Sequence, residues 1–228
     1  MTRLGVITGL ASEAACLEAF ASDARPIVRC AGANSARAGV LAGELIEEGC
    51  DALLSFGTAG GLAMEQRPGA IVVASRIIAP DGQGIETSKT WRDGVVDVVG
   101  QGAGVTVGAM AGAAAGVATP TAKAELGQAT GAIAVDMESH AIATVAEDAG
   151  VDFLVIRAIA DPVEHAIPGW VLGNISEKGQ PRIGPILAGL VMHPWDLPAL
   201  MRLRRDSDLA HRSLSGVAGR LGPLFGLG

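Results

Sequence analysis

The sequence predicts a single α/β domain of three layers, a central and mostly parallel (mixed) sheet flanked by helices, and three observations predict it. Short apolar, β-branched runs alternate with helix-patterned segments along most of the chain, the order that builds parallel sheets with helices on both faces. The runs are apolar throughout rather than at every second residue, as in strands covered on both sides. The chain has 228 residues, of which 49% are hydrophobic and 18% charged. That length supports one sizeable core, burying roughly 70% of the surface the unfolded chain exposes.

The elements follow in order. Leu4–Thr8, Ile27–Ala31, Ala52–Phe56, Ala70–Ile78, Val105–Met110, Ala132–Val135 and Phe153–Ala160 read as strands. Ser12–Ala21, Ser35–Glu48, Ala122–Ala129 and Met137–Ala149 read as helices, with Ser12 placed to cap the first and Gly49 to stop the second. The opening MTRLGVITGL reads as a first strand and not as a signal peptide. No run reaches the ~18 apolar residues of a membrane span. The stretch Gly100–Pro120 is too broken by glycine to serve as one.

Composition excludes several classes. The net charge is −7, aromatics are 3% and tyrosine is absent, so a basic, aromatic-lined groove for nucleic acid is not expected. Cys16, Cys30 and Cys50 form no CxxC pair. That spacing suggests reduced thiols in a cytoplasmic protein. With the four His isolated and the Cys unpaired, no metal and no organic cofactor is expected.

Composition shifts at His193. Residues 1–192 carry 12 basic and 21 acidic side chains, whereas residues 193–228 carry five Arg and three Asp. The expected organisation is an α/β domain over 1–192 and a basic helical extension, 193–228, packed on it. Leu197, Leu200, Met201, Leu203, Leu209 and Leu214 fall near helical spacing beside Arg202, Arg204, Arg205 and Arg212. A helix packed on the sheet explains the pattern, and a peripheral contact with lipid is the sharper alternative.

Four motifs carry chemistry. Ser55-Phe56-Gly57-Thr58-Ala59-Gly60-Gly61-Leu62 runs from a strand into glycines that let backbone N–H groups approach an anion or a sugar. It lacks the Lys and the spacing of a nucleotide-binding loop, and an ordinary tight turn explains it equally. Ala134-Val135-Asp136-Met137-Glu138-Ser139 places two carboxylates where a strand meets a helix. Residues two apart do not share a helix face, so Asp136 is expected to cap the helix and Glu138 to face a ligand. Either carboxylate would also suit the helix dipole alone. In Phe153–Pro162, Arg157 interrupts an apolar strand and Asp161 ends it. A buried Arg needs a carboxylate or an anionic ligand. Asp161, beyond the carboxyl end of a strand, is a candidate general acid. Glu13 follows the first strand, where by itself it suits a helix first turn.

Together these motifs lie at the carboxyl ends of predicted strands. In the order GVITGL…Glu, GTAGGL, AVDMES and VIRAIAD, the chain resembles the superfamily of purine nucleoside phosphorylases and methylthioadenosine/S-adenosylhomocysteine nucleosidases over residues 1–162. The Pro-Trp-Asp-Leu-Pro segment at 194–198 and the basic helix look most like the hopanoid-associated phosphorylase branch. The resemblance implies that Met137 and Glu138 hold the ribose, Glu138 taking its hydroxyls. It implies that Asp161 protonates the departing purine and that Thr58, with Gly60 in the same motif, lies beside the nucleophile. Glu13 and Arg157 match the pair that positions an attacking water. Trp170 is the nearest candidate to stack on the base, and His165 lies in the same loop.

The expected activity is cleavage of the N-glycosidic bond of an adenine nucleoside bearing a bulky apolar 5′-substituent such as an adenosyl-linked hopanoid, with phosphate as co-substrate. The departures open a second route. No Arg precedes Gly57, where Leu53, Leu54 and Ser55 stand, while Glu13 and Arg157 are retained, so hydrolysis is the alternative. Ala160 stands where the family often has Ser before the acid. A non-catalytic nucleoside- or lipid-binding protein on the same fold is the alternative of another class. The family also implies a homo-oligomer.

Overall fold

The computed structural model describes residues 2–20, 25–100 and 104–227. In chain order the elements are β1 (Leu4–Thr8), α1 (Ala11–Ala15), β2 (Ile27–Cys30), α2 (Ser35–Glu47), β3 (Ala52–Gly61), β4 (Ile71–Ile78), β5 (Gly84–Glu86) and α3 (Lys89–Val99). They continue with β6 (Val105–Gly112), α4 (Pro120–Thr130), β7 (Ala134–Asp136), α5 (Ser139–Ala149) and β8 (Asp152–Asp161). The chain ends with α6 (Gly169–Leu172), α7 (Ile183–Met192), a 3-10 turn at Pro194–Asp196, and α8 (Leu197–Leu221).

The sheet is mixed, as expected. β2, β1 and β3 are parallel, and β8 runs parallel to β3. β3–β7, β4–β5 and β4–β8 are antiparallel. Because β8 joins β3 to β4 while β7 and β6 join them on the other side, five strands close on one another. The continuous apolar runs are explained by cover on both faces. Leu54, Phe56, Leu154 and Ile156 enter a cluster with Trp91 of α3 and Leu214 of α8. Leu53, Val155 and Ile159 enter another with Leu41 of α2 and Ile142 of α5.

Several boundaries differ from the expectation. The glycine motif is not a turn: β3 continues through Gly61. Its first half pairs with β1 and its last residues with β7, and the pairing with β8 shifts register between Ala59 and Gly60. Glycines permit that irregularity because no side chain competes for the space. The first helix is shorter than Ser12–Ala21; α1 ends at Ala15 and turns follow to Phe20, with Ala21 outside the described residues. Ser12 does not cap it. Leu10 occupies the cap position, and the Glu13 carboxylate reaches back to its N–H. α5 starts at Ser139, two residues later than expected. Glu138, not Asp136, occupies its N-cap position, while Asp136 Oδ1 accepts from the Ser139 N–H at 3.0 Å. β5, α3, α6 and α7 have no counterpart in the sequence reading.

From His193 onward the chain is bound into the main core. α8 buries Ala210, Leu214, Val217, Ala218 and Leu221 in the cluster that contains Phe56. Beyond it the ring of Phe225 meets Phe56 edge-on at 5.3 Å. The Trp91 indole N–H donates to the Phe225 carbonyl.

Candidate active site

The site grows from one close approach of backbone to charge. In register, Gly57 of β3 lies opposite Arg157 of β8. A Cβ on Gly57 would collide with the Glu13 carboxylate and come within 2.6 Å of Arg157 Nη1, so only glycine fits. Glu13 is buried and accepts four hydrogen bonds. Oε2 takes the N–H groups of Gly9 and Leu10, each at 2.9 Å. Oε1 takes the N–H and the hydroxyl of Thr58, each at 2.7 Å. The backbone donors that glycines would offer to an anion are thus committed to this carboxylate.

Arg157 is fully buried. Its Nε lies 2.7 Å from Asp136 Oδ2, a charge contact at an angle too sharp for a hydrogen bond. Its Nη2 donates to Ser55 Oγ at 2.7 Å, and to Glu138 Oε2 and Ser139 Oγ at 3.3 Å. Its Nη1 donates to the Thr58 carbonyl. Arg157 therefore meets carboxylates, one of the two partners expected for a buried guanidinium. No ion pair joins it directly to Glu13, which approaches from across the space that a side chain on Gly57 would fill.

Glu138 is 5% exposed. Burial pushes its carboxyl up to about 7; Arg157 pulls it back, while Asp136 and Glu13 push it further up. Gly9 keeps its approach open, since a Cβ there would lie 2.7 Å from Glu138 Oε1.

At the end of β8, Asp161 comes opposite Gly60 because the register shift skips Ala160. Burial raises its carboxyl to about 6 against the opposing pull of Lys123. The sequence reading missed Lys123. It is the buried residue of α4, and its Nζ lies 2.5 Å from Asp161 Oδ2. It also donates to the carbonyls of Pro162 and His165. His165 pairs through Nδ1 with buried Asp206 of α8 at 3.0 Å.

A cavity of about 410 Å³ joins these groups, and Glu13, Thr58, Gly60, Met137, Glu138 and Asp161 all line it. That volume is in the range of small-molecule sites. The remaining wall is largely apolar and includes Ile167, Val171, Leu172, Ile175, Ile186 and Leu203. Arg157 stands behind the wall and does not line it. Trp170 does not line it either. Its ring stacks on His193 at 5.9 Å and its N–H donates to Asp196, which ties α6 to the turn before α8. Trp170 is thus set apart from the position expected for a base-stacking aromatic. No cluster of His, Cys, Asp and Glu suited to a metal ion occurs among the described residues.

The family described as the Phosphorylase superfamily matches residues 21–180 of the chain. No curated protein matches it in sequence. Among solved structures, the S-adenosylhomocysteine nucleosidase of Streptococcus pyogenes is similar with a TM-score of 0.73 at 18% identity, over 100% of this chain and 98% of that one. The 5′-methylthioadenosine/S-adenosylhomocysteine nucleosidase of Helicobacter pylori gives 0.71 at 18% identity, over 96% and 98%. The futalosine hydrolase of the same organism gives 0.71 at 16% identity, over 96% and 97%. At such identities the likeness is one of fold.

Proposed function

The chain belongs to the phosphorylase superfamily, a family of enzymes, and from that premise and the geometry of its cavity we propose that it cleaves the N-glycosidic bond of an adenine nucleoside. The observation that carries this reading is the joint placement of Glu138 and Asp161 on one largely apolar cavity, Glu138 paired with buried Arg157 and Asp161 with a carboxyl raised by burial. Breaking the bond builds positive charge on the ribose and negative charge on the base. Glu138, held by Arg157, answers the first; Asp161, as a proton donor, answers the second. The neighbouring folds named for nucleosidases and a futalosine hydrolase support the same class.

For the nucleophile, the arrangement favours water over phosphate. Among the described residues, the lining includes Glu13, Asp136, Glu138 and Asp161 and no Lys or Arg. The N–H groups of Gly9, Leu10 and Thr58 already serve Glu13. A dianion would meet carboxylates there, whereas a neutral water meets no such repulsion and can attack C1′. The apolar wall supports a 5′-substituent larger and less polar than a hydroxyl, the class to which an adenosyl-linked hopanoid belongs.

The face best suited to a lipid contact is that of α7, just before the extension in which the sequence placed it. That helix carries no charged residue and buries none of its ten residues. Val191 and Met192 are exposed, as is Trp195 beyond them, with Arg202, Arg204 and Arg205 exposed nearby. Ile186 of the same helix lines the cavity. A subunit interface is the rival use of this face. No described helix is long and apolar enough to cross a membrane.

The test is adenine release from adenosine, methylthioadenosine and a long-chain 5′-alkyl adenosine, with and without phosphate. We expect free ribose products at a rate independent of phosphate, and kcat/KM rising with the apolar 5′-group. Phosphate-dependent release of a ribose 1-phosphate overturns the choice of water. A preference for adenosine overturns the apolar 5′-site. Inactivity towards all three overturns the reading.

A further inference from the structure

Lys123 is the one lysine of the described chain that is fully buried. Its ammonium makes three contacts, one of them to a side chain that lines the cavity. The carbonyls of Pro162 and His165 accept at 3.0 and 2.8 Å, and Asp161 Oδ2 lies at 2.5 Å. With two N–H groups given to carbonyls and its charge against a carboxylate, the lysine is held in one place, and so is the carboxylate it meets. Oδ1 of Asp161 takes no hydrogen bond from the described residues, although the side chain lines the cavity. The two carbonyls belong to the segment that follows β8, so the same ammonium fixes the backbone on which Asp161 turns into the cavity.

We propose that Lys123 is the positioning residue of the proton donor: it holds Oδ2 of Asp161, leaves Oδ1 to the purine, and offsets the negative charge the carboxylate acquires when its proton departs. The proposal rests on the reading of the cavity as a nucleoside-cleaving site. In the step concerned, the proton passes from Asp161 to N7 of the purine as the bond between C1′ and N9 breaks. The bonding electron pair goes to the base. The water oxygen bonds to C1′ and its proton leaves to solvent. Asp161 ends as a carboxylate 2.5 Å from an ammonium, in surroundings too dry to solvate that charge well. A cation there makes the carboxyl a stronger acid and its conjugate base a more stable product. It stands in for the hydroxyl that Ala160 does not supply.

The charged groups that face Asp161 are few. Lys123 comes from α4, His165 from the segment after β8, and Asp206 from α8. Arg202 of α8 lines the small void beside it. Lys123 is in contact, and an opposite charge so close lowers a carboxyl by ~1–3 pH units. Removing that charge raises Asp161 while Glu138, whose carboxyl answers to Arg157, Asp136 and Glu13, is left as it is. The pH profile of the reaction must then move on one limb only.

The experiment measures adenine release from methylthioadenosine across pH for wild type, Lys123→Met, Lys123→Arg and the double variant Lys123→Met/Asp161→Asn. In Lys123→Met the pH optimum is expected to move up by about one unit. At about pH 5.5, where the carboxyl is protonated in both proteins, turnover falls by roughly several-fold because the acid is weaker. Lys123→Arg restores the profile towards wild type. In the Asp161→Asn background, adding Lys123→Met changes kcat by less than about twofold, because the residue acts only through Asp161. Should Lys123→Met not fold, Lys123→Gln gives the same reading, since it keeps donors for the two carbonyls and carries no charge. A folded, uncharged variant with an unmoved profile refutes the proposal and assigns Lys123 to stability alone. An equal loss in the Asp161→Asn background also refutes it. Failure of wild type to release adenine from any nucleoside refutes the site reading itself, and the proposal with it.

Discussion

Glu138→Gln should make the protein more stable and less active, with the gain in stability set by pH. Glu138 is 5% exposed, and burial lifts its carboxyl from the ordinary 4.5 to about 7. Between those values the folded chain holds a proton that the unfolded chain has released. Linkage then requires stability to fall as pH rises through that window, the loss being complete above the folded value. At 1.36 kcal/mol per pH unit the full penalty is about 3 kcal/mol. Glutamine has nearly the same shape and no charge to desolvate, so it escapes the penalty. Arg157 is not stranded by the change, because Asp136 remains 2.7 Å from its Nε. Urea unfolding should show the gap between variant and wild type widening by about 2 kcal/mol from about pH 5.5 to about pH 8.5. In heat that corresponds to a change of roughly 4–8 °C for a chain of this length. The deficit in kcat relative to wild type should be greatest above about pH 7, where wild-type Glu138 carries the charge under the ribose that glutamine lacks. A gap that does not vary with pH, or a variant less stable than wild type at the alkaline end, would mean that Arg157 needs Glu138 more than burial resists it.

Two further outcomes follow from the same geometry. Asp161→Asn keeps the size and an acceptor for Lys123 but cannot deliver the proton, so kcat should fall by about 10²-fold or more in a folded protein; wild-type turnover would remove Asp161 from the mechanism. Gly57→Ala drives a methyl group between Glu13 and Arg157, and urea unfolding should show a loss of about 1–3 kcal/mol, together with a collapse of kcat that an innocuous strand substitution would not cause.

Much of the site was legible because its residues break the rules of the strands that carry them. Arg157 interrupts, and Asp161 ends, a run that is otherwise apolar from Phe153 to Ala160, and a buried sheet admits such residues only with partners. Glu13 and Glu138 stand at strand-to-helix junctions, where topology gathers ligands. Lys123 gave no such sign. It lies in a short helix, two residues before Glu125, and reads as a solvated lysine. Its burial is decided by the segment after β8, about forty residues away, whose carbonyls turn back onto α4. α7 was hidden for the opposite reason: Ile183–Met192 is apolar, but Pro185, Gly184 and Gly189 break the periodicity that marks a helix. Trp170 misled because proximity in sequence to Asp161 is not proximity in space; the stack on His193 takes its ring.

The placement of the two buried cations argues for a division of labour between the two carboxylates of the cavity. Arg157 and Lys123 are both out of contact with the cavity, each behind a carboxylate that does line it, Glu138 and Asp161 respectively. A cation in the wall would attract an anionic co-substrate and repel a ribose that is becoming positive. A cation behind the wall does neither at full strength, yet it keeps a buried carboxylate from being prohibitively costly. The two pairs also differ in closeness, 3.3 Å for Arg157 and Glu138 against 2.5 Å for Lys123 and Asp161. The looser pair leaves more of the carboxylate's charge for the sugar, where charge must be felt. The tighter pair stabilises the charge that appears on Asp161 only after its proton has gone. On the proposed reading of the cavity, that difference suits a donor that gives up its proton as the glycosidic bond breaks and a carboxylate that supports a cationic sugar.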